Sequence, residues 1–79
     1  MKIEVYSIPG CHYCVKLRRL LDRSNLEYIQ TTVTNTAEFK ALHPNCKGFP
    51  WVFVDGVEVG GIIETAKLLL QKGLVKRRG

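Results

Sequence analysis

The chain has 79 residues, about half a common domain length, which excludes a second domain, a cofactor cavity between lobes and a repeat array. Hydrophobic residues make up 46% and charged residues 24%, an ordinary globular balance rather than a disordered one. With 12 Lys and Arg against 7 Asp and Glu the net charge is +5, and part of the excess sits in two places: Lys16, Arg18, Arg19 and Arg23 on one segment, and Lys76, Arg77 and Arg78 at the end. Such runs suit a solvated helix face and a frayed tail, or the attraction of small anions and acidic proteins. Nucleic acid is not expected as a partner, because no binding motif accompanies the charge. No apolar run approaches the roughly 18 residues of a spanning helix, and Met-Lys-Ile-Glu-Val is no signal peptide, so a soluble cytoplasmic monomer is the expectation, with no membrane partner.

Residues 2 to 8 alternate and read as a strand that Pro9-Gly10 stops. From Cys14 to Ser24, Leu17, Leu20 and Leu21 recur at helical spacing with cations on the other face, an amphipathic helix whose first turn holds Cys11 to Cys14. Asn25 suits the helix exit, and residues 26 to 33 are β-rich. Thr34 or Asn35 can cap a short helix ending near Leu42, with Ala37, Phe39 and Leu42 as its candidate buried side. Residues 43 to 48 form a loop. Trp51 to Val54, the turn pair Asp55-Gly56, and Val57 to Val59 make a hairpin. Residues 64 to 72 form the last helix, with Ala66, Leu69 and Leu70 inward and Gly73 as its exit. The order βαβαββα predicts one α/β domain over residues 1–79: a four-stranded mixed sheet flanked by three helices, its first two strands parallel.

Of the three cysteines, Cys11 and Cys14 lie within one helical turn. A bridge closing so short a loop stabilises by roughly 2 kcal/mol or less, which makes a poor staple. Directly after a strand and opening a helix, Cys-His-Tyr-Cys fits a redox dithiol better than half a zinc site. Unpaired N–H groups and the macrodipole at the helix start favour an anion, so Cys11 is the expected nucleophile. Cys14, three positions on, is the expected resolving thiol. A structural zinc site needs four ligands, and Cys46, His12 and His43 supply no second pair at metal spacing, so no metal is expected. Cys46 reads as a small buried or loop thiol.

Tyr6 through Cys14, Gly48-Phe49-Pro50 and Val59-Gly60-Gly61 together resemble the glutaredoxin family over essentially the whole chain. Hallmarks of that family are Cys-Pro-Tyr-Cys, Thr-Val-Pro with a cis proline, and Gly-Gly followed closely by an acidic residue. Here Cys11, Tyr13 and Cys14 match the first, Pro50 the second, and Gly60, Gly61 and Glu64 the third. The resemblance implies a thioredoxin-like fold and glutathione-dependent reduction of protein disulfides and glutathione mixed disulfides, with ribonucleotide reductase among the usual acceptors. Glutathione as co-substrate would lie with its sulfur at Cys11, its cysteine backbone on Phe49 beside Tyr13 and Pro50, and its γ-glutamyl end over Gly61, Ile62, Ile63 and Glu64. For its glycine carboxylate, Lys40 and Lys47 are candidates by position alone.

Several residues depart from the family pattern. Ile8 stands where a lysine is frequent, Gly48-Phe49 replaces Thr-Val, and Ile62-Ile63 is more apolar than usual. These changes keep open a glutaredoxin-like redoxin reduced by thioredoxin reductase. Two further readings are an iron–sulfur cluster protein, which Tyr13-Cys14 argues against, and an idle adaptor of the same fold. His12 replaces the proline that suits the first helical position and puts a titratable group beside the nucleophile. As an imidazolium it would stabilise a thiolate and make the Cys11–Cys14 disulfide more oxidising. His12→Pro is therefore expected to lower the reduction potential, by about 30 mV for each tenfold change in the exchange equilibrium; equilibration against glutathione buffers measures it, and an unchanged potential removes the electrostatic role.

Overall fold

In the computed structural model, which describes residues 1–73, alternation in β1 (Ile3–Ser7) sends Ile3, Val5 and Ser7 to one face of the sheet and Glu4 and Tyr6 to the other. The basic run Lys76, Arg77 and Arg78 lies outside the described residues. Following β1 come α1 (His12–Arg23), β2 (Ile29–Thr32), α2 (Thr36–Leu42), β3 (Trp51–Val54), β4 (Val57–Gly60) and α3 (Ile62–Gln71). The predicted order is the observed one. The strands form a 4-stranded sheet in the order β2-β1-β3-β4, with β1 parallel to β2 and both other pairs antiparallel.

The sheet separates two apolar clusters. On one face Leu17 and Leu21 of α1 and Leu69 of α3, each 0% exposed, close over Ile3, Val5, Val52 and Val54. On the other, Val33, Phe39, Cys46 and Trp51 pack with Tyr6, Ile8, Phe49 and Phe53. No helix among the described residues is long and apolar enough to cross a membrane.

Turn chemistry sets the element boundaries. Asn25 takes φ 55 after α1 while the N–H groups of Asn25 and Leu26 return to the carbonyls of Asp22 and Leu21, a left-handed exit that satisfies the last turn. Asn35 is the cap of α2, its side chain accepting from the Glu38 N–H at 3.0 Å. Asp55 and Gly56 both have positive φ, 52 and 79, as a two-residue hairpin with right-handed strand twist requires. Gly73, at φ 69, ends α3 as expected.

Four sequence expectations need correction. In α2 only Phe39 is buried; Ala37 is exposed and Leu42 is 71% exposed, because so short a helix meets the sheet through a single side chain, which stacks on Tyr6, His43 and Phe49 at ring separations of 5.0, 4.6 and 5.3 Å. In α3, Leu70 is 42% exposed, and the place expected for it is taken by Thr65, 0% exposed, whose hydroxyl donates to the Gly61 carbonyl at 2.8 Å. A threonine so satisfied packs like an apolar residue. The second strand is shorter than its β-rich run: residues 26 to 28 approach the sheet without pairing, and Leu26 and Tyr28 lean on the first cluster. The last helix begins earlier than expected, at Ile62, with Gly61 as its N-cap.

Leu17→Ala is expected to cost about 2 to 5 kcal/mol through cavity formation, whereas Leu42→Ala should stay within about 0.5 kcal/mol. Urea unfolding of the two variants measures the difference.

Candidate active site

Gly10, at φ 74, turns the chain out of β1 and delivers Cys11 to the start of α1. Cys11 is the N-cap residue in extended conformation, and its Sγ accepts from the Cys14 N–H at 3.2 Å. The same sulfur lies 3.5 Å from the Phe49 carbonyl oxygen, to which its thiol can donate. These two contacts respond oppositely to ionisation. The N–H can serve the sulfur in either state, but the carbonyl has a partner only while the thiol keeps its proton.

Cys14 occupies the inner side of the first turn and is 4% exposed. Burial pushes its thiol up to about 11, and hydrogen bonding to Cys11 adds to this while a backbone contact from Ile8 opposes it. Proximity and exposure thus divide the labour: Cys11, half-buried, can meet a substrate, and Cys14 stays protonated behind it at neutral pH.

Beside Cys11 runs an open groove of about 420 Å³ built by three parts of the chain. From α1 comes Tyr13, 59% exposed, with Lys16 Nζ over its ring at 5.4 Å from the centroid. From the connection into β3 come Lys47, Gly48, Phe49 and Pro50, and the Phe49–Pro50 peptide bond is cis. From the entry into α3 come Gly61, Ile62, Ile63 and Glu64. The structure therefore brings Tyr13, Phe49, Pro50, Gly61, Ile62, Ile63 and Glu64 to one groove, which Cys11 meets through its contact with the Phe49 carbonyl rather than by lining it. Of the two candidate cations, Lys47 lines it and Lys40, on α2, does not.

Glycine at position 60 is a steric requirement. At φ 132 it sits in a conformation that side chains avoid, and a Cβ there would meet Glu64 Cγ at 3.0 Å. That close approach lets the Glu64 carboxylate accept from the Gly61 N–H at 3.1 Å, so this backbone donor at the α3 start is already engaged. The N–H groups of Ile62 and Ile63, the first residues of α3, have no acceptor within their own helix. A register shift between Val52 and Phe53 opposite β4 accompanies the turn toward the groove.

A second open groove, about 490 Å³, is the one that Cys11 and Cys14 themselves line, together with His12, Val15, Arg18 and Gln30. Its Arg18 was not singled out as a site residue by sequence reasoning; the available signal was spacing, since Arg18 follows Cys14 by one helical turn on the same face. His12 is exposed at the motif's outer side. Cys46 is buried in the second cluster, its thiol donating to the Gly48 carbonyl at 3.3 Å, and it lines neither groove.

Residues 3–59 match the model of the glutaredoxin family. The chain belongs to this family. It is therefore a thiol–disulfide oxidoreductase, and Cys11 and Cys14 stand at the strand-to-helix turn that opens α1. Among curated glutaredoxins it is similar to glutaredoxin 1 of Rickettsia bellii, 32% identical over an alignment 66 positions long, with 75% of this chain and 67% of the relative covered. The chain covers 63% of glutaredoxin 1 of Rickettsia felis, and so spans about two thirds of the length of such relatives. The fold matches the crystal structure of a buckwheat glutaredoxin–glutathione complex with a TM-score of 0.75, 22% identity, and coverage of 91% of this chain and 70% of the other. It also matches a thioredoxin-like protein at 32% identity and a TM-score of 0.65, over 85% of this chain and 97% of the other. The thioredoxin-like fold expected from the sequence is the fold found.

Because the Cys14 thiol is about 11 when folded against 9.0 in the free side chain, folding favours its protonated form. That contribution is complete below pH 9 and is lost as pH rises toward 11, amounting to about 3 kcal/mol. In the reduced protein, stability measured by denaturant is expected to fall across this window more steeply than in Cys14→Ala.

Proposed function

We propose that the protein reduces glutathione mixed disulfides and protein disulfides with glutathione as the electron donor. The observation that carries this reading is the position of the Cys11 sulfur, 3.5 Å from the carbonyl of Phe49, a residue that lines a groove shared with the entry into α3. Glutathione needs those parts in that order: a nucleophile for its sulfur, backbone groups for its peptide, and N–H donors for the carboxylate of its γ-glutamyl end. Its glycine carboxylate would lie toward Lys47. The buckwheat glutaredoxin complexed with glutathione, matched by this fold, supports the same ligand.

In the proposed cycle the Cys11 thiolate attacks the glutathione sulfur of a mixed disulfide. One S–S bond breaks as another forms, and the departing thiolate takes a proton from water. A second glutathione thiolate then attacks the bound glutathione sulfur, giving oxidised glutathione and restoring Cys11. With a protein disulfide, Cys11 forms a mixed disulfide to the protein, and Cys14 loses its proton and attacks the Cys11 sulfur. The protein leaves as a dithiol, and two glutathiones later return the two electrons. Two of the influences that hold the Cys14 proton come from Cys11 itself, a hydrogen bond and the repulsion between charges. Both disappear once the Cys11 sulfur is covalently occupied. The resolving thiol is thus released for attack by formation of the intermediate it must resolve.

A second reading, a redoxin served by thioredoxin reductase, draws on the similarity to a thioredoxin-like protein and on Ile63, 64% exposed at the groove's far end, where an apolar side chain suits a protein surface. Large disulfide proteins, including ribonucleotide reductase, fit either reading as acceptors, and a compartment that keeps thiols reduced, such as the cytoplasm, suits both.

Cys11→Ser is expected to abolish turnover of the 2-mercaptoethanol–glutathione mixed disulfide in an assay coupled through glutathione reductase. Cys14→Ser should keep that reaction and lose most reduction of protein disulfides. Failure of the unaltered protein with glutathione, alongside turnover with thioredoxin reductase, would reverse the two readings.

A further inference from the structure

We propose that Glu58 is a positioning residue that holds the substrate-facing segment from Gly48 to Trp51 through both ends of its own carboxylate. Oε2 accepts from the indole Nε1 of Trp51 at 2.9 Å, and Oε1 accepts from the side-chain amide of Asn45 at 3.1 Å. Asn45 precedes the groove-lining segment and Trp51 ends it, so one side chain ties down the chain on each side of Phe49 and Pro50. Trp51 is 8% exposed and adjoins Pro50 directly, which leaves the indole little freedom except to move that peptide with it.

The placement follows from strand register. Trp51 and Phe53 share the sheet face of the second apolar cluster, and Glu58 stands opposite Phe53 across the β3–β4 pair. A carboxylate there reaches diagonally to the indole. Hydrogen bonds from Trp51 and Asn45 hold Glu58 below the usual carboxylate range, with His43 nearby adding to the effect. Between the two anchors, the thiol of Cys46 donates to the Gly48 carbonyl at 3.3 Å and the Phe49 ring packs on Phe39 at 5.3 Å. What the clamp fixes is the Phe49 carbonyl, 3.5 Å from the Cys11 sulfur. Glu58 touches neither the nucleophile nor the groove, since it does not line the latter. Its effect should therefore reach substrate binding through backbone position alone. The inference rests on the reading of Gly48 to Pro50 as the segment that meets the substrate's peptide.

The test compares Glu58→Ala with Glu58→Gln on the 2-mercaptoethanol–glutathione mixed disulfide, alongside the rate of Cys11 alkylation by iodoacetamide and the emission of Trp51, the chain's single tryptophan. Glutamine keeps an oxygen for the indole and can donate to the Asn45 amide oxygen after that group turns over. Glu58→Ala is expected to raise KM about fivefold with kcat and alkylation rate within about twofold, and to red-shift the emission. Glu58→Gln should restore both KM and the emission. Should Glu58→Ala fail to fold, Asn45→Ala, an exposed loop substitution that removes one anchor, is expected to raise KM about twofold. An unchanged KM in the folded variant overturns the clamp, as does a fall in KM, kcat and alkylation rate together. If the unaltered protein acts on an oxidised peptide but not on the glutathione substrate, the proposed donor is wrong. The same KM comparison made with that peptide then decides the clamp.

Discussion

The hydrogen bond from the Cys14 N–H to the Cys11 sulfur does two tasks with one contact. It caps α1, whose first N–H groups have no acceptor within the helix, and it places the Cys11 sulfur at the end where backbone dipoles accumulate positive charge. Caps are usually oxygen-bearing side chains, which accept more strongly than sulfur. A cysteine here gives up some capping strength for chemistry. The helix can tolerate this because its stability comes from elsewhere: Leu17 and Leu21 are fully buried one and two turns further on, against a sheet that Leu69 of α3 also covers. The redox centre can therefore change state while the helix beneath it stays docked.

The sheet also divides rigidity from adjustment. Its first face carries aliphatic side chains clamped between α1 and α3, with the cysteine motif rooted there. Its second face is aromatic, with Tyr6, Phe39, His43, Phe49 and Phe53 in tilted and edge contacts, and it is covered only by a two-turn helix and the connection that follows. The two halves meet where the Cys11 sulfur approaches the Phe49 carbonyl. The Phe49 connection is consequently built on the less densely covered face, while Cys11 and Cys14 are rooted on the aliphatic one.

Much of this was legible in the residues. Cys-His-Tyr-Cys after an alternating strand set two cysteines at a helix start, and Asp55-Gly56 located the hairpin. What stayed hidden depended on tertiary context. Apolar spacing pointed to Leu42 and Leu70, yet a short helix buries one residue, and Thr65 took an inward place because its hydroxyl finds a carbonyl within its own turn. Glu58 read as an ordinary polar residue of a hairpin strand. Only the register of β3 against β4, and the return of the connection carrying Asn45, bring two donors to its carboxylate. Arg18 likewise read as one cation in a solvated stripe until the second groove placed it on the flank of Cys14.

Openness gives the site its selectivity problem. Both grooves beside the cysteines are open to solvent, and a chain of this size has no further element among the described residues with which to cover them. Discrimination between disulfides then falls to fixed polar groups near the sulfur: the Cys14 N–H at 3.2 Å, and the Phe49 carbonyl at 3.5 Å on a residue that lines the groove. That oxygen can accept from the resting Cys11 thiol, and the same atom can accept from an N–H of an extended ligand. One backbone oxygen thus serves the thiol at rest and an approaching peptide backbone in turn.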